Sequence, residues 1–221
     1  MYSSKKNKNN GIKLISIAGL IGAGKSTLAD NLGKILKNST VHHEAVETND
    51  ILPLFYENMS KWGFPLQVSL LTQRHAQLQK INWADSTNNI HIEDRFMDED
   101  HVFATTLFKQ GYMSEIEYNI YNDLVKTYEK STKYPDLIVF LDVSPQVSID
   151  RIKQRGRKME TNIPIEYIET LHAEYKNFIT WISRKIPVII IDWNEYIEPS
   201  IVATMILEMW ENTCNNLNKP N

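Results

Sequence analysis

IKLISIAGLIGAGKST, residues 12–27, decides how the rest of the chain is read. Residues 12–19 form a nearly continuous apolar run, the pattern of a strand buried on both faces. From Gly19 to Ser26 the stretch matches G-x-x-x-x-G-K-[ST], and a helical pattern over 25–36 follows at once. Strand, glycine-rich turn and helix in that order give the motif its meaning. The turn lets backbone wrap around phosphate oxygens, and the helix N-terminus points amide hydrogens at the anion. Gly19, Gly22, Ala23, Gly24, Lys25, Ser26 and Thr27 are therefore expected to bind ATP. Lys25, read as a solvent-edge cation, would reach the β- and γ-phosphates, and Ser26 would hold Mg²⁺. The competing readings are a chance glycine-rich turn and a nucleotide-binding module without catalysis.

Outward from this stretch, the same alternation repeats. Apolar runs at 89–95, 136–143 and 187–192 read as further strands buried on both faces, and 39–46 as a weaker fifth. Helical patterns cover 60–84, 98–109, 114–130, 144–154, 164–185 and 200–217, with Pro145 and Pro164 suited to first-turn positions. The expected fold is α/β with a P-loop: a doubly wound parallel sheet of about five strands flanked by helices. Ligands of such sheets sit at the carboxyl ends of the strands. Glu44, Asp94 and Asp142 would stand at or near those ends.

Composition narrows the classes. With 221 residues, 42% of them apolar, the chain suits one large domain, assigned to 11–217, with tails at 1–10 and 218–221 read as disordered and frayed. A net charge of −3 argues against a nucleic-acid polymer or a membrane surface as partner. Cys214 is the sole cysteine, so neither an internal disulfide nor a thiolate zinc cluster is possible. The apolar runs are strand-sized, and the lysine-rich N-terminus lacks an apolar signal core. A cytoplasmic location fits.

Neither D-x-x-G nor N-K-x-D follows the glycine-rich turn in a place that suits a GTPase, and the run ending in a lone Asp142 does not suit an AAA-type ATPase. Small-molecule kinases remain, and these need cations over the moving phosphoryl group. DRIKQRGRKMETNIP, 150–164, supplies Arg151 and Arg155 four apart on one helix face, then Gly156 and Arg157. The pattern reads as an arginine-rich lid, or alternatively as a solvated helix end whose cations complement the helix dipole.

HIEDRFMDED, 91–100, places Asp94 and Arg95 at the mouth of a strand. Phosphorylation of a hydroxyl needs a carboxylate to take the proton and a cation to steady the phosphoryl group. Asp98, Glu99 and Asp100 read either as part of that site or as acids favouring a helix start. Gln67 and Arg74, seven apart, share a helix face with Leu70 and Leu71 near it, an apolar wall with two polar readers. Trp62 and Phe64 read as core. His42 and His43 read as strand residues.

Taken together, GLIGAGKST, HEAV at Glu44, FYENMSKWGFPLQ at 55–67, EDRFMDEDHVFA at 93–104 and RIKQRGRKMETNIPIEYIETLH at 151–172 resemble the deoxynucleoside kinase family in order and spacing, from about residue 12 to 196. The resemblance implies an ATP- and Mg²⁺-dependent kinase that phosphorylates the 5′-hydroxyl of a deoxynucleoside, with dA, dC or dG favoured over thymidine, working as a homodimer. It implies Glu44 as general base, with Lys25 among the catalytic groups. Asp94 would help hold Mg²⁺, and Arg95 would hold Glu44 and the reacting oxygens. Tyr56 and Glu160 would bind the sugar 3′-hydroxyl and Gln67 the base. Arg74 and Asp100 would form the polar pair behind the base, and Phe103 would stack on it. Arg151, Arg155 and Arg157 would serve the ATP phosphates, and Asn194, Glu195 and Tyr196 would lie beside adenine.

The chain departs from the family pattern at Ala45, where proline is usual, and at Phe96, where a small hydroxyl residue is usual. A spacing from Asp94 to Phe103 one shorter than in animal members leaves both Glu99 and Asp100 open as the acid that faces the base. The alternative enzyme is a nucleoside monophosphate kinase such as thymidylate kinase. The alternative of another class is a catalytically silent nucleotide-binding regulator.

Overall fold

A computed structural model describes residues 12–44, 49–81 and 90–217. The tails assigned to 1–10 and 218–221, Ala45 and residues 82–84 lie outside the described residues, and the helix read to 84 already ends at Gln79.

Five parallel strands form one sheet in the order β2-β3-β1-β4-β5. They are β1 (Leu14–Gly19), β2 (Ser39–His42), β3 (Ile90–Asp94), β4 (Leu137–Asp142) and β5 (Val188–Asp192). The helices between them are α1 (Lys25–Ile35), α2 (Ile51–Glu57), α3 (Met59–Gln79), α4 (Asp100–Lys109), α5 (Glu115–Glu129), α6 (Pro145–Arg155), α7 (Ile165–Ile182) and α8 (Pro199–Leu217). Every residue of β1 and β3 is buried, as is β4 up to Leu141. Helices therefore cover both faces of the central sheet, as the continuous apolar runs require. No helix among the described residues is long and apolar enough to cross a membrane.

Two expectations change. The run at 187–192 is not buried on both faces: β5 is an edge strand with alternating exposure, and Ile190 is 56% exposed. The helix read from 60 starts at Met59, and a separate helix, α2, precedes it. Asn49 Oδ1 accepts from the amides of Ile51 and Leu52 at 3.0 and 3.1 Å and opens α2. Asn58, with φ −151° and ψ 89°, breaks the chain between them, and its Oδ1 accepts from Lys61 N at 3.0 Å to start α3.

β1 lies between β3 and β4, and the chain reverses direction of winding there, which opens a crevice at the strand ends. The glycine-rich turn after β1, the residues after β2 and the end of β3 all meet at that crevice. α3 lies alongside it and supplies side chains from above.

Candidate active site

The turn 20–24 keeps backbone close to α6. A Cβ on Gly22, whose φ is +75°, would sit 2.8 Å from Ile152 Cγ1 and 2.9 Å from the Ser148 carbonyl oxygen. Gly24, with φ +93°, then turns the chain into α1. Lys25 is not at the solvent edge. It is buried, and its Nζ donates to the carbonyl oxygens of Gly19 and Leu20 at 3.1 and 3.0 Å. Burial, reinforced by Arg95, lowers its pKa to about 8.

From the first turn of α1, the Ser26 hydroxyl donates to Asp94 Oδ2 at the end of β3. Asp94 is buried, and its Oδ1 has no hydrogen-bond partner among the described residues. A hydroxyl beside a carboxylate with an unused buried oxygen is a hard-oxygen donor set that suits Mg²⁺, which also keeps waters and phosphate oxygens around it.

Arg95 follows in the left-handed region, with φ +83°, a costly conformation for a side chain of this size. Its amide donates to the Ile17 carbonyl at 3.1 Å, which ties it to β1. Its guanidinium donates to Glu44 Oε2 at 3.2 Å, to Glu99 Oε1 at 3.0 Å and to the Tyr175 hydroxyl at 2.6 Å. It also lies 4.4 Å from the centre of the Phe103 ring. Glu44 Oε1 accepts from Arg74 Nη2 at 3.1 Å. Burial alone would raise the Glu44 pKa, but Arg95, Arg74 and Lys25 outweigh it and hold the carboxyl at about 2.

A 3-10 turn at Met97–Glu99 fixes where the three acids point. Glu99 is fully buried and accepts from the Gly19 amide at 3.2 Å, from Arg95 and from Tyr175. Asp100 receives the Arg74 fork, Nε to Oδ2 and Nη2 to Oδ1, at 2.9 Å each. Burial pushes Asp100 up to about 6 despite that fork. Asp98 faces a different groove, beside Tyr118 and Trp181.

One cavity of about 550 Å³ opens among these groups. It brings together Gly22, Lys25, Ser26, Glu44, Tyr56, Gln67, Asp94, Arg95, Asp100, Phe103, Arg155, Arg157 and Glu160. Its apolar wall includes Leu66 and Leu70, with Gln67 beside them, buried, its Oε1 unpartnered among the described residues. Arg74 stands behind Asp100, outside the lining. At the other end, Glu160 is buried between Arg155 and Arg157, the latter at 3.6 Å. Burial, then Tyr167 and Glu160, raise the pKa of Tyr56, so it stays a neutral hydroxyl.

Arg151 does not join Arg155. It donates to the Ala23 carbonyl at 3.2 Å and to the Trp193 and Asn194 carbonyls at 2.7 and 3.3 Å. It thus clips the loop holding Asn194, Glu195 and Tyr196 to the glycine-rich turn, outside the cavity. Asp142 is also outside it, paired with Lys176 and with His172. Glu99 as an anchor, Tyr175, and the pair His43–Asp30, 3.0 Å apart at the cavity wall, were not singled out from sequence. No spacing rule could have found Tyr175, since 80 residues separate it from Arg95.

A family model described as deoxynucleoside kinase matches residues 15–215. A deoxyadenosine kinase of Dictyostelium discoideum is 41% identical over 208 residues, 93% of this chain and 83% of the relative. A deoxyguanosine kinase of the same organism is 34% identical, over 90% of this chain and 70% of the relative. Among solved structures, deoxyadenosine kinase from M. mycoides with bound dCTP superposes with a TM-score of 0.77 at 29% identity, over 92% of this chain and 99% of that one.

Proposed function

The chain belongs to the deoxynucleoside kinase family, and from that premise we propose that it moves the γ-phosphoryl group of ATP to the 5′-hydroxyl of dA, dC or dG in preference to thymidine, with Mg²⁺. It is a phosphotransferase acting on nucleosides. The observation that carries the finer reading is the placement of Glu44. Its carboxylate is held between Arg74 and Arg95 in the same cavity as Lys25, Ser26 and Asp94.

In the proposed reaction the phosphates lie over the turn 19–25, and Ser26 and Asp94 would hold Mg²⁺, which would neutralise phosphate charge. Glu44 accepts the hydrogen bond of the 5′-hydroxyl and takes its proton. Lys25 and Arg95, with Arg155 and Arg157 from the lid, sit where charge develops in the transferring group. Arg151 serves ATP through the loop it clips, with Asn194, Glu195 and Tyr196 beside the adenine. At the acceptor end, Tyr56 and Glu160 bind the sugar 3′-hydroxyl and Phe103 stacks on the base. Gln67 and Asp100 offer polar atoms to the base edge, with Arg74 behind them. The domain 11–217 acts as one unit in the cytoplasm. Exposed Phe108, Ile116, Ile120 and Trp181 on α4, α5 and α7 supply apolar surface for a homodimer, which sedimentation would test.

The deciding experiment is a labelled-ATP transfer assay against the four deoxynucleosides and the four deoxynucleoside monophosphates. Label appearing on purine deoxynucleosides or deoxycytidine supports the proposal. Label on monophosphates alone would make the chain a monophosphate kinase, and none at all would leave a nucleotide-binding regulator.

A further inference from the structure

Arg74 is shared by three groups at one side of the cavity. Its fork holds both oxygens of Asp100 at 2.9 Å. The same Nη2 donates to Glu44 Oε1 at 3.1 Å, and Nη1 donates to the Arg95 carbonyl oxygen at 3.3 Å. Asp100 lines the cavity, and the proposed function sets a base edge against it. Glu44 lines the part beside Lys25 and Asp94, where a 5′-hydroxyl would meet phosphate. A guanidinium is planar, so the directions of its N–H groups cannot be adjusted one at a time. Tilting the fork at Asp100 moves the donor that fixes Glu44 and the donor that supports the left-handed backbone of Arg95.

We propose that Arg74 is a positioning residue for Glu44, so that recognition of the base edge sets the rate of phosphoryl transfer as well as the affinity for the nucleoside. The proposal rests on the roles given above to Asp100 and Glu44. An exocyclic amino group donates to Asp100 and leaves the carboxylate charged and square to Arg74. A base that offers only hydrogen there gives Asp100 no donor, and so does one that offers a carbonyl, as guanine and thymine do, so transfer to deoxyguanosine should be slower than to deoxyadenosine. A carbonyl also forces Asp100 to turn, and the fork turns with it. A displacement of the general base on the scale of an ångström costs about 10²-fold in rate. Arg74 itself is 7% exposed and outside the cavity lining, which favours an effect through Asp100 and Glu44 over direct contact with the nucleoside.

The test separates rate from affinity. Single-turnover transfer would be measured at saturating nucleoside on the wild type, Arg74→Lys, Glu44→Gln and the double variant. Arg74→Lys should slow transfer to deoxyadenosine about 10- to 100-fold. In the Glu44→Gln background the same substitution should change the rate by no more than about twofold, because two groups acting through one route are not additive. If Arg74→Lys raises only KM, or if its rate effect multiplies undiminished in the double variant, the coupling is wrong while the Glu44 assignment stands. If Glu44→Gln leaves the rate unchanged, both fall. Should Arg74→Lys fail to fold, the wild type decides. Replacing the 6-amino group of deoxyadenosine by a carbonyl, as in deoxyinosine, should lower the single-turnover rate at least about tenfold, and an equal rate with a raised KM would overturn the proposal.

Discussion

Glu93→Gln should remove a large share of the stability loss that the wild type shows as pH rises from 6 to 8.5. Glu93 lies in the middle of the sheet, directly across from Ser16 on β1, and is 4% exposed. Its Oε1 has no hydrogen-bond partner among the described residues. Burial pushes its pKa from 4.5 up to about 8, with Arg74 opposing and Glu99 and Asp98 adding to the rise. As pH climbs, the unfolded chain gives up this proton first and the folded chain keeps it. The stability tied to the proton is therefore complete below about pH 4.5 and is lost as pH rises through about 8. At 1.36 kcal/mol per unit, the loss is about 3 kcal/mol by pH 7 and approaches about 5 kcal/mol above pH 8. For a chain of this size, 3 kcal/mol is about 6–12 °C in Tm. Glutamine keeps the shape of the protonated acid and cannot ionise. It brings a constant offset of about 1–3 kcal/mol from its extra donor, so the slope with pH is the quantity to read. Thermal melts of both proteins across this range give the answer. Lys25 and Asp98 titrate in the same window, at about 8 and about 7, and are common to both, so the difference between the two curves isolates Glu93. Parallel curves would refute the assignment of a neutral, buried acid on β3.

Further outcomes concern the reaction. Lys25→Ala should abolish transfer, and since Lys25 is buried against two loop carbonyls its melting point should also be compared with wild type. Near wild-type turnover would remove the phosphate reading of the turn. Glu44→Gln should lower kcat by roughly 10²–10⁴ while nucleoside binding changes much less. Asp94→Asn should also shift the Mg²⁺ dependence, read by titrating the metal at fixed ATP. Arg74→Met with Asp100→Ala removes a charge pair together and should admit thymidine, while either change alone strands a buried charge and harms every substrate. The ratio of kcat/KM for thymidine and deoxyadenosine checks this, and an unchanged ratio would refute it.

How far the sequence could be read follows from the range of the forces involved. The turn 19–26 is local: strand, glycines and helix start are neighbours in the chain, so pattern and position agree. β1, β3 and β4 are legible because burial on both faces forces continuous apolar sequence. β5 carries the same composition, yet nothing within 188–192 says that it lies at the edge of the sheet, where Ile190 is left exposed. The acid run 98–100 shows the same limit at the site. Each residue of a turn rotates the next side chain by about a third to a quarter of a circle. Three adjacent acids therefore face three surroundings: Asp98 a groove between helices, Glu99 the Arg95–Gly19 anchor, Asp100 the Arg74 fork. Arg151 and Arg155, read as one pair from their spacing, also divide, one clipping backbone and the other meeting Glu160.

The low pKa of Glu44 bears on how it can work. A carboxyl held at about 2 is ionised throughout the neutral range but binds a proton weakly. Phosphoryl transfer through a loose transition state depends on positioning and charge stabilisation far more than on base strength. Glu44 meets that requirement. One oxygen is fixed by Arg74 and the other by Arg95, and a carboxylate has about four lone-pair sites, so acceptor capacity remains for a 5′-hydroxyl. Weakening either arginine contact would make Glu44 a stronger base and a less well-placed one. If base strength governed the reaction, Arg74→Lys would raise the single-turnover rate. If placement governs it, as the shared guanidinium argues, the rate falls even as the pKa of Glu44 rises.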